Sequence, residues 1–152
     1  MERDKFMTAS IDQLDPDLII TAPGDPDPKG KPAIRTLAMP ADTNPSGDVF
    51  GGWLLSQMDL AAGISAAWHA RGRVATVAVQ GMEFHRPVRV GDVLCVYADV
   101  VKVGRTSITL LIEAYVLRSR DRKHRVKVTE GVFTCVAIDE NGKPRPVPSE
   151  EG

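Results

Sequence analysis

One short stretch combines the residue types that could support catalysis. It reads GDVFGGW over residues 47–53 and leads into an apolar segment that ends at Trp68. A helix that begins here would present unpaired N–H groups and a partial positive charge, which can hold an anion or a developing oxyanion. Gly51 and Gly52 would let a ligand approach because they carry no Cβ. Asp48 could act as a general base or a nucleophile, or it could simply cap the helix.

Other catalytic arrangements are missing around this stretch. The three histidines, His69, His85 and His124, lie outside it, so no Ser-His-Asp arrangement is evident. The spacing of possible ligands does not indicate a metal site. One carboxylate beside a helix N-terminus suits attack on an already activated acyl group, such as a thioester, and does not suit attack on a peptide.

The segment from Trp53 to Trp68 is apolar on nearly every side. Such a helix either spans a membrane or is wrapped inside a protein. A span needs roughly 20 apolar residues without charge, and Asp59 interrupts this one. The pattern therefore predicts a buried helix wrapped by a sheet, with Asp59 as a buried, hydrogen-bonded polar residue.

Strand patterns lie on both sides of the helix. Val74 to Phe84 is apolar on both faces, which predicts a central strand and subunits that pair sheet edge to sheet edge. Arg118 to His124 is expected to be a charged hairpin loop, and Gly131 to mark a bulge. Five strands are predicted, and the last four are expected to form a meander. They are Ala33 to Met39, Val74 to Phe84, Val93 to Val103, Ser107 to Leu117 and Val126 to Ile138. The fold class is α+β, an antiparallel sheet around one long central helix.

Length, charge and cysteine content restrict the domain organisation and the classes of partner that we expect. The 152 residues suffice for one domain, predicted over residues 33–140 between flexible tails at 1–32 and 141–152. Lys plus Arg number 19 and Asp plus Glu 20, which argues against nucleic acid as a partner. Cys95 and Cys135 are expected to be buried reduced thiols. The start of the chain has no secretory pattern, so we expect a cytoplasmic protein that is not bound to a membrane.

Eight blocks of sequence, in order, resemble the YciA-type acyl-CoA thioesterases of the hotdog fold. The blocks lie between residues 35 and 107, within a match that covers roughly residues 34 to 138. The blocks are RTLAMP at 35–40, DTN at 42–44, GDVFGGW at 47–53, MD at 58–59, GRV at 72–74, TVAV at 76–79, PVRVGD at 87–92 and KVGRTS at 102–107.

The resemblance implies a hotdog domain that hydrolyses acyl-CoA to free acid and CoA. It implies no cofactor, since CoA is part of substrate and product, and a dimer that assembles as a trimer of dimers. The family's catalytic aspartate falls on Asp48 and its thioester-polarising amide on Gly52, with Gly51 as neighbour. Thr76 from the facing subunit is a third contributor. The implied CoA-binding residues are Lys102, Gly104, Arg105, Thr106 and Ser107, with Arg86 as a weaker candidate.

Two alternatives remain open. Hotdog enoyl-CoA hydratases carry the pattern Asp-x-Asn-Pro-x-His, and this chain has Asp42 to Ser46 in that register but Gly47 in place of the histidine. A non-catalytic acyl-CoA-binding sensor module is the other, and replacing Asp48 separates it from an enzyme.

Overall fold

The computed structural model describes residues 19–149. The predicted tails therefore lie partly outside it, at residues 1–18 and 150–152. A 3-10 turn at Pro40–Asp42 precedes the one long helix of the described residues. The elements in chain order are β1 (Ile20–Thr21), β2 (Ile34–Leu37), α1 (Gly51–Ala70), β3 (Val74–Phe84), β4 (Val93–Val103), β5 (Ser107–Arg118) and β6 (Asp121–Ala137).

The strands form one sheet in which β6 has neighbours along both edges. On one side lies β5, followed by β4 and β2; on the other lie β3 and β1. All pairs are antiparallel except β1 with β6. The predicted four-strand meander is therefore wrong for β3, which pairs with β6 and not with β4.

Within one protomer, strand β3 is an edge strand, so the prediction of a central strand is wrong for the single protomer. It pairs with β6 alone, and Val77 and Val79 are 60% and 40% exposed. Its apolar residues are not explained by burial within one protomer. They leave an unpaired, apolar strand edge, which is where another strand can add.

Helix α1 packs one face against the sheet. The buried face is mostly alanine, which lets the helix lie close to the strands, and it contacts fully buried side chains such as Leu110 and Phe133. The opposite face exposes Leu60, Ile64 and Trp68. The prediction of a helix wrapped on all sides is thus wrong for the single protomer. The buried residues of the helix are Leu54, Met58, Ala61, Ala62, Ala66 and Ala70.

The helix ends at Ala70, and the next residue, Arg71, adopts the left-handed conformation with φ 51°. The Gly72 N–H donates to the carbonyl of Ala67 at 3.2 Å. A Cβ at Gly72 would lie 2.6 Å from Nη2 of Arg145, which donates to the carbonyl of Ala70 at 2.9 Å. Glycine at 72 is therefore explained by the close approach of Arg145.

The β5–β6 hairpin is tighter than predicted. Since β5 ends at Arg118 and β6 begins at Asp121, the predicted charged loop is mostly strand. The irregularity expected at Gly131 lies opposite it, on β3, between Gln80 and Glu83. Gly81 there has φ +71°, and a Cβ on Gly131 would meet the Met82 sulfur.

Two segments assigned to the tails contact the domain. The Tyr115 hydroxyl donates to the carbonyl of Pro26 at 2.6 Å, and Ile19 packs against the cluster that contains Tyr115. Near the other end, the Val147 N–H donates to the carbonyl of Arg105 at 2.8 Å. Residues on both sides of the predicted domain thus pack against it.

Candidate active site

The loop before α1 fixes the backbone of Asp48. The Asn44 side-chain oxygen accepts hydrogen bonds from the N–H groups of Ser46 (2.9 Å) and Asp48 (3.2 Å), and the Asn44 N–H donates to the Asp48 carbonyl at 2.7 Å. Gly47 completes the turn with φ +87°, a conformation that other residues rarely adopt. Asp48 is therefore held through its backbone.

The Asp48 carboxylate itself accepts no hydrogen bond from residues 19–149 and forms no ion pair with them. The N-cap position of α1 belongs to Phe50, and no side chain caps the helix. The capping alternative for Asp48 is therefore excluded. The side chain is exposed on a rigid loop, directly before the helix.

The first turn of α1 carries two uncommitted N–H groups. Trp53 and Leu54 donate to the carbonyl of Phe50, at 3.1 and 3.2 Å, whereas Gly51 and Gly52 have no acceptor among the described residues. A Cβ at Gly52 would meet nothing within 4 Å, and its φ is not positive. Nothing inside the protomer requires glycine at this position.

Grooves lie on both sides of the helix start. One, of about 300 Å³, runs between Gly51 and the segment Phe84 to Val88 that follows β3. The other, of about 380 Å³, runs between Gly52 and Thr76 on β3. Both grooves are lined by residues of β3 or of the segment that follows it.

Thr76 and Asp59 meet in the second groove. The Thr76 hydroxyl donates to Oδ1 of Asp59 at 2.6 Å and lies 3.7 Å from the sulfur of Cys135. Burial raises the pKa of the Cys135 thiol. Asp59 is exposed in the protomer, so the predicted hydrogen bond is present and the predicted burial is not. Cys95 and Cys135 are both buried and unpaired, as predicted.

The hairpin block at 102–107 lies at the other end of the molecule from Asp48. Ser107 pairs with Val136, which pairs with Ala75 at the start of β3. The start of β3 follows the end of α1, and a 20-residue helix is about 30 Å long. Within one protomer, the structure therefore does not bring Lys102, Gly104, Arg105, Thr106 and Ser107 together with Asp48.

Arg86 lies in the first groove with its guanidinium already engaged. Its Nη1 donates to Oδ2 of Asp25 at 2.8 Å and to the carbonyl of Lys127 at 2.6 Å. Burial acts to raise the pKa of Asp25, but the hydrogen bonds from Arg86 and from the Lys127 N–H outweigh it and lower the pKa. The structure thus ties this predicted phosphate ligand to the N-terminal segment.

Residues 19–149 contain no cluster of His, Cys, Asp and Glu that could hold a metal ion. In the same part of the chain, no helix has the length and apolar character needed to cross a bilayer.

Comparison with known proteins identifies the family. The family model of the thioesterase superfamily matches residues 46–122. The acyl-CoA thioester hydrolase YciA of Salmonella typhimurium is 56% identical over 123 residues, which cover 80% of this chain and 92% of that protein. The chain belongs to the thioesterase superfamily.

Solved structures of the thioesterase superfamily share the architecture. A hexameric thioesterase from Yersinia pestis is 54% identical, with a TM-score of 0.77, and the match covers 81% of this chain and 99% of that chain. HI0827, a hexameric broad specificity acyl-coenzyme A thioesterase, is 47% identical, with a TM-score of 0.80 and coverage of 86% and 90%. The predicted hotdog fold is confirmed.

The sequence alone did not predict the roles of two residues at this site, Asn44 and Phe84. Asn44 shapes the Asp48 loop through its side chain, and an Asx turn is indicated by the Asn-Pro-Ser-Gly run itself. Phe84, which would contact a Cβ on Gly51 at 3.6 Å, gives no local signal because the contact spans 33 positions of the chain.

Proposed function

We propose that this protein is an acyl-CoA thioesterase that hydrolyses the thioester to a carboxylic acid and CoA. Water adds through its oxygen to the acyl carbon, the carbon–sulfur bond breaks, and the CoA sulfur leaves as a thiolate that takes up a proton. The reaction needs an oxyanion site and a group that activates water or attacks the carbonyl. It requires no metal or organic cofactor.

The observation that carries the proposal is the pairing of a free carboxylate with a free helix N-terminus. The N–H groups of Gly51 and Gly52 have no acceptor among residues 19–149, and a carbonyl oxygen that gains charge would be stabilised there by hydrogen bonds and the helix dipole. Glycine at 52 serves no packing purpose in the protomer, which fits a position that a ligand approaches.

Asp48 supplies the second function in this proposal. As a general base it would take the proton from the attacking water and return it to the leaving thiolate. As a nucleophile it would form a mixed anhydride with the acyl group, which water then cleaves. Rapid-quench mass spectrometry distinguishes the two, because only the nucleophile leaves an acyl adduct on the peptide that contains Asp48.

The proposed site is shared between two copies of the chain. Pairing of two β3 edges about a two-fold axis near Val79 would bring the start of one strand beside the end of the other. Thr76 of the partner subunit would then lie opposite Met82, near the helix start. The Yersinia pestis thioesterase and HI0827 are hexamers, and we propose that this chain also forms a hexamer, arranged as a trimer of dimers.

A variant series tests the enzymatic role. Asp48→Ala should lower kcat about 100-fold while CoA binding is kept, because the carboxylate acts on the reacting atoms and not on the nucleotide. Asp27→Asn is the matched control, since the Asp27 side chain is 81% exposed and lies 4.0 Å from its ion-pair partner Arg125. Free thiol is measured with acyl-CoAs from acetyl to palmitoyl. Unchanged turnover in Asp48→Ala would remove Asp48 from the mechanism.

The same assay separates the alternatives. A binding module would release no thiol from any acyl-CoA but would still bind CoA. A hydratase would change the absorbance of an enoyl-CoA without releasing thiol. The structure disfavours the hydratase, because the position where a histidine is needed holds Gly47 with φ +87°.

A further inference from the structure

A tryptophan stands almost fully exposed at the end of α1. Trp68 is 84% exposed, whereas the other tryptophan, Trp53, is partly buried against the core. A groove of about 250 Å³ adjoins Trp68 and is lined by His69, Arg71, Pro148 and Ser149. A large aromatic side chain that the protomer leaves in solvent marks a surface for a ligand or a partner.

The surroundings of Trp68 are positively charged. Arg73, Arg105 and Arg145 lie at this end, and none forms an ion pair with a carboxylate of residues 19–149. Arg145 donates to the carbonyls of Ala70 and Ile138, and Arg73 to that of Glu140 at 3.5 Å. Carbonyl partners thus hold the guanidinium groups of Arg73 and Arg145 in place without cancelling their charge.

The Trp68 groove is joined to the β4–β5 hairpin. The N–H of Val147 donates to the carbonyl of Arg105 at 2.8 Å, and the next two residues, Pro148 and Ser149, line the groove. The Arg105 guanidinium itself has no hydrogen-bond partner among the described residues. Trp68 and Arg105 therefore both adjoin one short segment, residues 147–149.

We propose that Trp68 stacks against the adenine base of the acyl-CoA nucleotide, with Arg105 beside it to meet a phosphate. This inference rests on the proposed thioesterase function and assigns the residue that recognises the base. Every base offers a π-face to an aromatic ring, and stacking of this kind strengthens binding by about fivefold or more. Arginine meets phosphate oxygens with paired, charge-assisted hydrogen bonds.

An adenine nucleotide suits this surface better than a second protein chain does. Pairing of this surface with a second copy of itself would bring like charges together, which opposes binding, because Trp68 is flanked by Arg71 and lies at the same end as three further arginines. An adenine nucleotide offers both a planar base for the Trp68 ring and negatively charged phosphates for the arginines.

Tryptophan fluorescence tests the proposal without turnover. In Trp53→Phe the only tryptophan is Trp68, and adenosine 3′,5′-bisphosphate should quench its emission in a saturable way. In Trp68→Leu the remaining Trp53 should not respond, and the bisphosphate should bind at least about fivefold more weakly by calorimetry. Trp68→Phe keeps a stacking ring and should recover most of the affinity.

Kinetics supply a second readout. For acyl-CoA, Trp68→Leu should raise KM about fivefold or more and leave kcat unchanged, because stacking is equal in ground and transition states. For the same acyl group on pantetheine, which lacks the nucleotide, KM should not change. An equal rise in KM for both substrates would overturn the proposal, since it would show a general structural effect.

Two further results would overturn it. One is the absence of quenching in Trp53→Phe. The other is a blue-shifted, acrylamide-protected emission from Trp68 before ligand is added, which would place it between copies of the chain. A protein that hydrolyses no acyl-CoA would refute the proposed function instead, while the fluorescence titration would still report on base stacking.

Discussion

Replacing Gly52 with alanine separates two reasons for a glycine at the start of α1. The position lies in the first turn of the helix, and an added Cβ would meet no atom within 4 Å. Alanine is favoured over glycine in a helix by up to about 1 kcal/mol. If glycine serves only the fold, Gly52→Ala should therefore raise the free energy of unfolding and leave turnover unchanged.

The proposed site leads to the opposite expectation for activity. A methyl group at 52 would stand beside the uncommitted N–H and hinder the approach of the thioester carbonyl. Loss of one oxyanion donor costs roughly 100- to 1,000-fold in kcat, or about 3–4 kcal/mol of transition-state stabilisation. Stability and turnover should thus change in opposite directions, which a mutation that damages packing would not produce.

Gly63→Ala is the matched control. Gly63 lies in the same helix and also has nothing within 4 Å of an added Cβ. It should gain similar stability in urea denaturation and keep wild-type thiol release. The oligomeric state of both variants is checked by light scattering. Unchanged kcat in Gly52→Ala, with the gain in stability present, would refute the oxyanion role of this turn.

Three further outcomes follow from particular contacts. Asn44→Ala should lower kcat roughly 10- to 100-fold with little change in KM, because it releases the backbone of Asp48; a changed KM alone would contradict this. Arg105→Ala should raise KM about tenfold with kcat nearly unchanged, as expected for a phosphate contact made equally in ground and transition states. The pKa of Asp25 is lowered from 3.8 in the fold, so its ion pair with Arg86 stabilises the folded state above about pH 4 and is lost on further acidification. The protection factors of the β1 amides against hydrogen exchange should then fall, whereas Asp25→Asn should show low protection at every pH.

Local patterns predicted the elements of the domain closely. Strand β4 runs from Val93 to Val103 as predicted, and β5 extends only one residue beyond the predicted end, to Arg118. Apolar and polar residues alternate in β5, β4 begins with a continuous apolar run, and turn residues lie at the ends of both strands. The Asp48 loop was predicted for the same reason, since glycines and a carboxylate before an apolar run are visible without any tertiary contact.

Long-range pairing was not predictable in the same way. Nothing within Val74 to Phe84 reveals that it pairs with β6, which is some 50 residues away, and not with β4. The apolar character of α1 was interpreted as complete burial, but the exposure of Leu60 and Ile64 shows that one protomer does not account for it. Likewise, the contact of Arg86 with Asp25 joins residues 61 positions apart.

Mixing two impaired variants tests whether the proposed site is shared between subunits. Asp48 and Arg105 lie at opposite ends of α1, so one acyl-CoA can use both only if they come from different copies. In a dimer of Asp48→Ala with Arg105→Ala, a shared arrangement leaves one of the two sites with both native residues. A site within one protomer would leave none.

Random mixing should then restore about a quarter of the wild-type sites, measured as thiol release at substrate concentrations well below the KM of Arg105→Ala. If light scattering and subunit exchange show that mixed dimers form, and the activity still equals the average of the separate variants, the shared site is refuted.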